Sequence, residues 1–275
     1  MDPARPVLVV DLFRPALAEL LALISGLSEE DWHKPTSCPT WSVKDVALHL
    51  LGDDIAILSG QRDHVRSDVS ARNWPELVAR LNEANDLWVR ASQRLSPRLL
   101  SDLLAFTGPQ VIAHFESLDP YATGNVVSWA GSDPAPIWLD LAREYTERWH
   151  HQQHIRDAVG KPGLKEPRFF APVLETFVRA LPVAYRDATS EEGTVVVVTI
   201  TGRSGSRWAL RRERHAWTLS VAASTRPSAE VVIDEETAWR LFTKGIHREQ
   251  ALSQAELMGD KALASRALDA VAIIA

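Results

Sequence analysis

The chain has 275 residues, 45% of them hydrophobic and 24% charged, with a net charge of −6. That length suggests one large or two ordinary domains with apolar content sufficient for a core. The acidic balance and the absence of a long basic run argue against a nucleic-acid partner.

Cys38 is the single cysteine, so no intramolecular disulfide is possible and nothing calls for an oxidising compartment. After Met1 the only early apolar patch is Val7 to Val10, shorter than a secretory signal requires. No stretch approaches the ~20 apolar residues of a membrane span. The expectation is a cytoplasmic protein with no membrane partner.

Residues 12–24 carry Leu17, Leu20, Leu21 and Ile24 at helical spacing. Ser28 then offers a cap to a short acidic turn. Pro35 and Pro39 make the next segment a loop. A second helix begins at Thr40 or Ser42, with Asp45 three residues after Ser42 as in a capping box. It places Val43, Val46, Leu50 and Ile57 on one face. A third helix is expected over 75–95, short helical pieces over 98–104 and 109–117, and a long loop over 119–136. A fourth long helix follows over 137–159, with Gly160 where a C-cap glycine belongs and Pro162 beyond it.

Past Pro167 the pattern changes. Residues 169–184 read as one amphipathic helix. The β-branched run from Thr194 to Thr201 reads as a strand, and residues 206–212, 216–222 and 229–234 as three more. A helix starts at Asp234 or Glu235, and more helices fill the C-terminus. The fold class is α+β: a helical bundle over 1–162, then a smaller α/β domain over 163–275.

The informative segment runs from Glu144 to Gly160. At about 100° per residue, Glu144, Glu147, His151 and His154 share one helix face within about 80°. Glu147 and His151, four residues apart, can point at one ion. His49 lies in an apolar helix and is the natural third ligand, because a buried imidazole needs a partner. Three protein ligands leave a position open for water or substrate, as at catalytic metal sites. His150 and His154 form a competing pair at the same spacing, and spacing alone leaves both pairs open. Asp53, one turn past His49, is placed to orient its imidazole. Asp54 is a second candidate. Cys38, in the proline loop, reads as a small structural residue rather than a nucleophile. No nucleophile elbow or glycine-rich phosphate loop is present.

Pro39 to Leu50 reads Pro-Thr-Trp-Ser-Val-Lys-Asp-Val-Ala-Leu-His-Leu. It resembles the N-terminal motif of the mycothiol-dependent maleylpyruvate isomerase family, itself part of the DinB-like group of metal-binding four-helix bundles. A second motif, a glutamate, three residues, a histidine and a helix end of the type Ala-x-Gly, corresponds to Glu147, His151 and Ala158 to Gly160. The distance back from Gly160 makes His151 rather than His150 the ligand under this resemblance. Ala229 to Gly245 is similar to the small sterol-carrier-like domain that follows the bundle. Members commonly have an aspartate where this chain has His154, which is expected to hold a ligand residue in place, to be an alternative ligand or to carry a proton. No single arginine among Arg148, Arg156, Arg240 and Arg248 maps onto the family's substrate-binding positions.

The resemblance implies a divalent ion, zinc by default with nickel as the other choice, and mycothiol as cofactor or co-substrate. The expected partners are that low-molecular-weight thiol and a small electrophile. The expected activity is isomerase or S-transferase. The alternatives are a non-catalytic metal- or ligand-binding protein and a metal-dependent hydrolase on the same bundle.

Overall fold

The computed structural model describes residues 4–65, 74–222 and 226–273. Helices dominate the first half: α1 (Phe13–Ser25), α2 (Glu29–Trp32), α3 (Val43–Ala56), α4 (Trp74–Ala91) and α5 (Pro97–Glu116). A two-stranded antiparallel ribbon, β1 (Thr123–Val126) and β2 (Pro134–Pro136), precedes the long α6 (Ile137–Ala158). Next come α7 (Pro167–Phe177), α8 (Leu181–Ala184), β3 (Val195–Thr201), β4 (Arg207–Arg212), β5 (Trp217–Val221) and β6 (Ala229–Asp234). The chain finishes with α9 (Glu235–Phe242), α10 (Arg248–Gln254), β7 (Glu256–Gly259) and α11 (Lys261–Ser265). A helical region followed by a strand-rich one is the expected α+β class.

Two compact units divide the chain. One holds residues 9–119 and 144–164, and the other holds the described parts of 1–8, 120–143 and 165–274. In the first unit, Ser28 and Ser42 each make a full capping box with the aspartate three residues on, Asp31 and Asp45. The serine side chain satisfies a backbone donor of the first turn, and the aspartate returns to the serine N–H. The second box starts α3, whose Val43, Val46, Leu50 and Leu51 are fully buried. They join Leu20, Leu23 and Ile24 of α1, Leu100 and Leu104 of α5 and Ile155 of α6 in one apolar cluster. Each such side chain contributes about 1.5–3 kcal/mol.

Residues 98–117, expected as separate pieces, form one helix, α5, with Pro109 inside it. Proline removes one intrahelical bond, while Leu104, Val111, Ile112 and Phe115 keep a continuous buried stripe across the break. The expected helix over 169–184 is divided into α7, a 3₁₀ turn at Val178–Ala180 and α8. Pro182 lies at the start of α8, where its missing N–H is tolerated. The expected loop over 119–136 contains the β1–β2 ribbon.

In the second unit the sheet order is β5-β4-β3-β6-β7. β3 pairs antiparallel with β4 and parallel with β6, so β3 is central and nearly all its side chains are buried. That explains its unbroken β-branched run, since a strand covered on both faces has no polar alternation. The edge strand β7 was not expected. Its Glu-Leu-Met-Gly sequence carries a weak strand signal, and pairing to β6 supplies the structure.

Candidate metal centre

α3 and α6 bring the chemistry together. Glu147 and His151 sit one turn apart on α6, and His49 sits in the middle of α3. His49 Nε2 is 3.2 Å from Glu147 Oε1, and His151 Nε2 is 2.8 Å from the same oxygen. The two imidazole rings stand edge to face, 4.6 Å apart. One ligand atom from each of the three residues fits within 4.8 Å of the others. Both histidines are buried, at 5% and 8% exposure. Two imidazole nitrogens and one carboxylate are a donor set that divalent zinc-type ions accept.

Asp53 Oδ2 lies 3.4 Å from His49 Nε2, the same ring nitrogen that faces Glu147. Asp53 therefore stands on the ligand side of the imidazole rather than behind it. Asp54 points elsewhere: Thr107 Oγ1 of α5 donates to its Oδ2 at 2.6 Å, and Arg148 Nη1 pairs with its Oδ1 at 2.7 Å. This buried charge pair joins α3, α5 and α6 beside the histidines.

The proline loop before α3 closes over the cluster. Thr36 holds it in shape: its N–H and hydroxyl both donate to the Trp41 carbonyl, at 3.0 and 2.8 Å. Thr40 adopts the left-handed conformation with φ of 69°, an uncommon state for a residue with a Cβ. The turn lays the Trp41 ring 5.1 Å from the His49 ring. It also places Cys38 Sγ 2.8 Å from His154 Nδ1 and 3.9 Å from His151 Nδ1. His150, the competing ligand by spacing, packs its ring 4.0 Å from that of His154. Sequence reasoning assigned Cys38 no part in the cluster and gave Arg148 no specific partner. The only local signal for Cys38 was its place in the loop leading directly into the His49 helix. Thr107 carried no signal at all.

The two imidazoles differ in charge preference. Burial disfavours a proton on His49, but Asp53 and Glu147 outweigh it and raise the ring to about 9. Burial prevails at His151 and lowers it, although Glu147 pulls the other way. Burial works against ionised Glu147 too, yet His151 and His49 hold its carboxyl well below the usual range. Burial raises Asp53, with Glu147 and Glu144 adding to the effect. Burial pushes the Cys38 thiol up to about 12. A surface cleft of about 480 Å³ lined by Ile24, Trp32, Ser96 and Arg98 shares no residue with this cluster.

Two crystal structures of the mycothiol-dependent maleylpyruvate isomerase resemble most of the chain. One of them is a histidine-to-alanine mutant. Each aligns with a TM-score of 0.52 at 13% identity, over 84% of this chain and 86% of the other. At that identity the likeness establishes the shared fold. Comparison with curated proteins returned no match. The family described as the mycothiol maleylpyruvate isomerase N-terminal domain matches residues 13–156, a span that runs from the start of α1 to near the end of α6 and includes every residue of the cluster. Because that match takes in more than half of the sequence, the chain belongs to the mycothiol maleylpyruvate isomerase N-terminal domain family.

Proposed function

We propose that this chain is a thiol-dependent enzyme of the maleylpyruvate isomerase type, holding a divalent ion through His49, Glu147 and His151 and using mycothiol as cofactor or co-substrate. The observation that carries the reading is the convergence of two buried Nε2 atoms, from α3 and α6, on one Glu147 oxygen. Family membership supplies the thiol.

A divalent ion held by His49, Glu147 and His151 would lower the pKa of a bound thiol and so would supply a thiolate for isomerising an electrophilic double bond or for S-transfer. The protein's part is to bind, orient and shield. His49 and His151 offer neutral nitrogens once deprotonated, and Glu147 offers one negative charge. That set leaves a divalent centre net positive and suited to an anionic ligand. Trp41 packs its ring against that of His49. Asp53, beside His49 Nε2, is placed to accept a proton when His49 gives its own up. Zinc is the default ion and nickel the alternative, since neither redox change nor special geometry is demanded. No helix among the described residues is long and apolar enough to cross a membrane. The proposed setting is the cytoplasm, with a small electrophile as substrate and no nucleic-acid partner.

Metal content of the purified protein tests the reading. The expected result is one divalent ion per chain, lost in His151→Ala and retained in His150→Ala. The loaded protein should then consume a small unsaturated electrophile only when a low-molecular-weight thiol is added. No ion in the wild type after incubation with zinc or nickel would overturn the metal reading. Turnover that is indifferent to thiol would overturn the thiol reading and favour hydrolysis.

A further inference from the structure

We propose that Cys38 Sγ, His154 Nδ1 and His151 Nδ1 form a second cation site, selective for a thiophilic ion such as cadmium or copper(I). It goes beyond the His49–Glu147–His151 reading and does not depend on an ion being held there.

One ligand atom from each of these three residues lies within 4.8 Å of the others. They come from two elements: the loop ahead of α3 and the last two turns of α6. His151 and His154 are more than nine-tenths buried and Cys38 is half-buried. The separations of 2.8 and 3.9 Å bracket the span between sulfur and nitrogen donors on one ion, which binds sulfur at about 2.3 Å and nitrogen at about 2.0 Å. Thiolate with imidazole is the softer of the two donor sets in this cluster, and soft donors select thiophilic cations.

The surroundings are arranged for such a site. Glu147 Oε1 accepts from His151 Nε2 when that nitrogen carries the ring proton. That tautomer directs the Nδ1 lone pair toward Cys38. A carboxylate behind a histidine, holding the opposite ring nitrogen for the ion, is the common support of metal-binding imidazoles. Thr36 Oγ1 accepts from the Cys38 N–H at 3.2 Å and fixes the loop from the other side. On binding, the Cys38 thiol gives its proton to solvent and the sulfur electron pair goes to the cation. A neutral imidazole has one acceptor nitrogen. His151 therefore serves one ion at a time, and a thiophilic ion held by Cys38 withdraws it from His49 and Glu147.

Cadmium titration of the full chain, followed by thiolate-to-cadmium absorption in the ultraviolet, tests this. A histidine–glutamate site holds no thiolate and gives no such band. The expected result is a saturable band in the wild type that is absent in Cys38→Ser. In His154→Ala it should persist only with affinity about tenfold or more weaker, and in His49→Ala it should be kept. Circular dichroism of each variant confirms that it is folded. Absence of the band in the wild type would overturn the proposal. So would unchanged affinity in folded His154→Ala, which would exclude His154 as a ligand. Loss of the band in folded His49→Ala would place the ion elsewhere. Zinc lost from His49→Ala while its cadmium band persists would separate the two sites.

Discussion

Glu147 serves two imidazoles, and they respond oppositely. His49 gains the field of Asp53 and Glu147 and holds a proton to about 9, whereas burial wins at His151 and lowers it. His151, one of the two rings beside Cys38, is thus the one on which burial disfavours a proton, as a lone-pair donor requires. Cys38 itself is pushed up to about 12 by burial, against the Thr36 hydrogen bond. The thiolate is the reactive form, so metal-free protein should alkylate slowly with iodoacetamide at neutral pH. Its rate should climb through pH 10 without levelling. A plateau near neutrality would mean that His154 activates the thiol instead. The i,i+4 relation of Glu147 and His151 was legible from spacing. The choice between His150 and His151 came only from the family resemblance, and the structure puts Nε2 of His151 on Glu147.

The elements that carry these residues depend on their ends. The cap at Ser28 and the capping box at Ser42 were legible because each is written within four contiguous residues. Asp234 caps α9 in the same local manner, accepting from the Glu236 and Thr237 N–H groups, each at 3.0 Å. Burial opposes ionisation of Asp234, but the Thr237 side chain and these N–H groups lower its pKa overall. A carboxyl depressed in the folded state stabilises fully above the unfolded carboxylate range, about 3.9. That contribution is lost as pH falls through the folded value. Asp234→Ala should cost about 1–2 kcal/mol at neutral pH. Asp234→Asn should keep most of the cap and show a smaller loss of stability on acidification. Urea denaturation at about pH 7 and about pH 2.5 checks both, and an undiminished acid loss in Asp234→Asn would discount the cap. By contrast, α5 and β7 were misread or missed. Pro109 has local breaking power that a long buried stripe overrides, and β7 becomes a strand only through its partner.

At the scale of the whole molecule, the helical unit encloses charge as well as apolar surface. Asp54 is fully buried, paired with Arg148 and accepting from Thr107. Removing one partner of such a pair strands the other. Arg148→Met should destabilise by about 3–5 kcal/mol, and adding Asp54→Asn should recover part of that loss. Equilibrium denaturation of the single and double variants measures the difference, and a neutral single variant would show that the pair carries no weight. Neither spacing nor propensity pointed to this pair, because its members lie on separate helices and Thr107 has no chemical signature in sequence.

The sequence by itself determined the periodic helices, the β-branched strands, the caps and the one-turn spacing of Glu147 and His151, together with the motif at Pro39 to Leu50. All of these are written within a few turns of contiguous chain, where backbone geometry converts spacing directly into direction. Tertiary structure alone decided that Asp53 shares the ring nitrogen facing Glu147, that Asp54 meets Arg148, and that Cys38 reaches residues more than a hundred positions away. Those relations are set by how a proline loop and α3 pack against α6, a distance in space that no local pattern records.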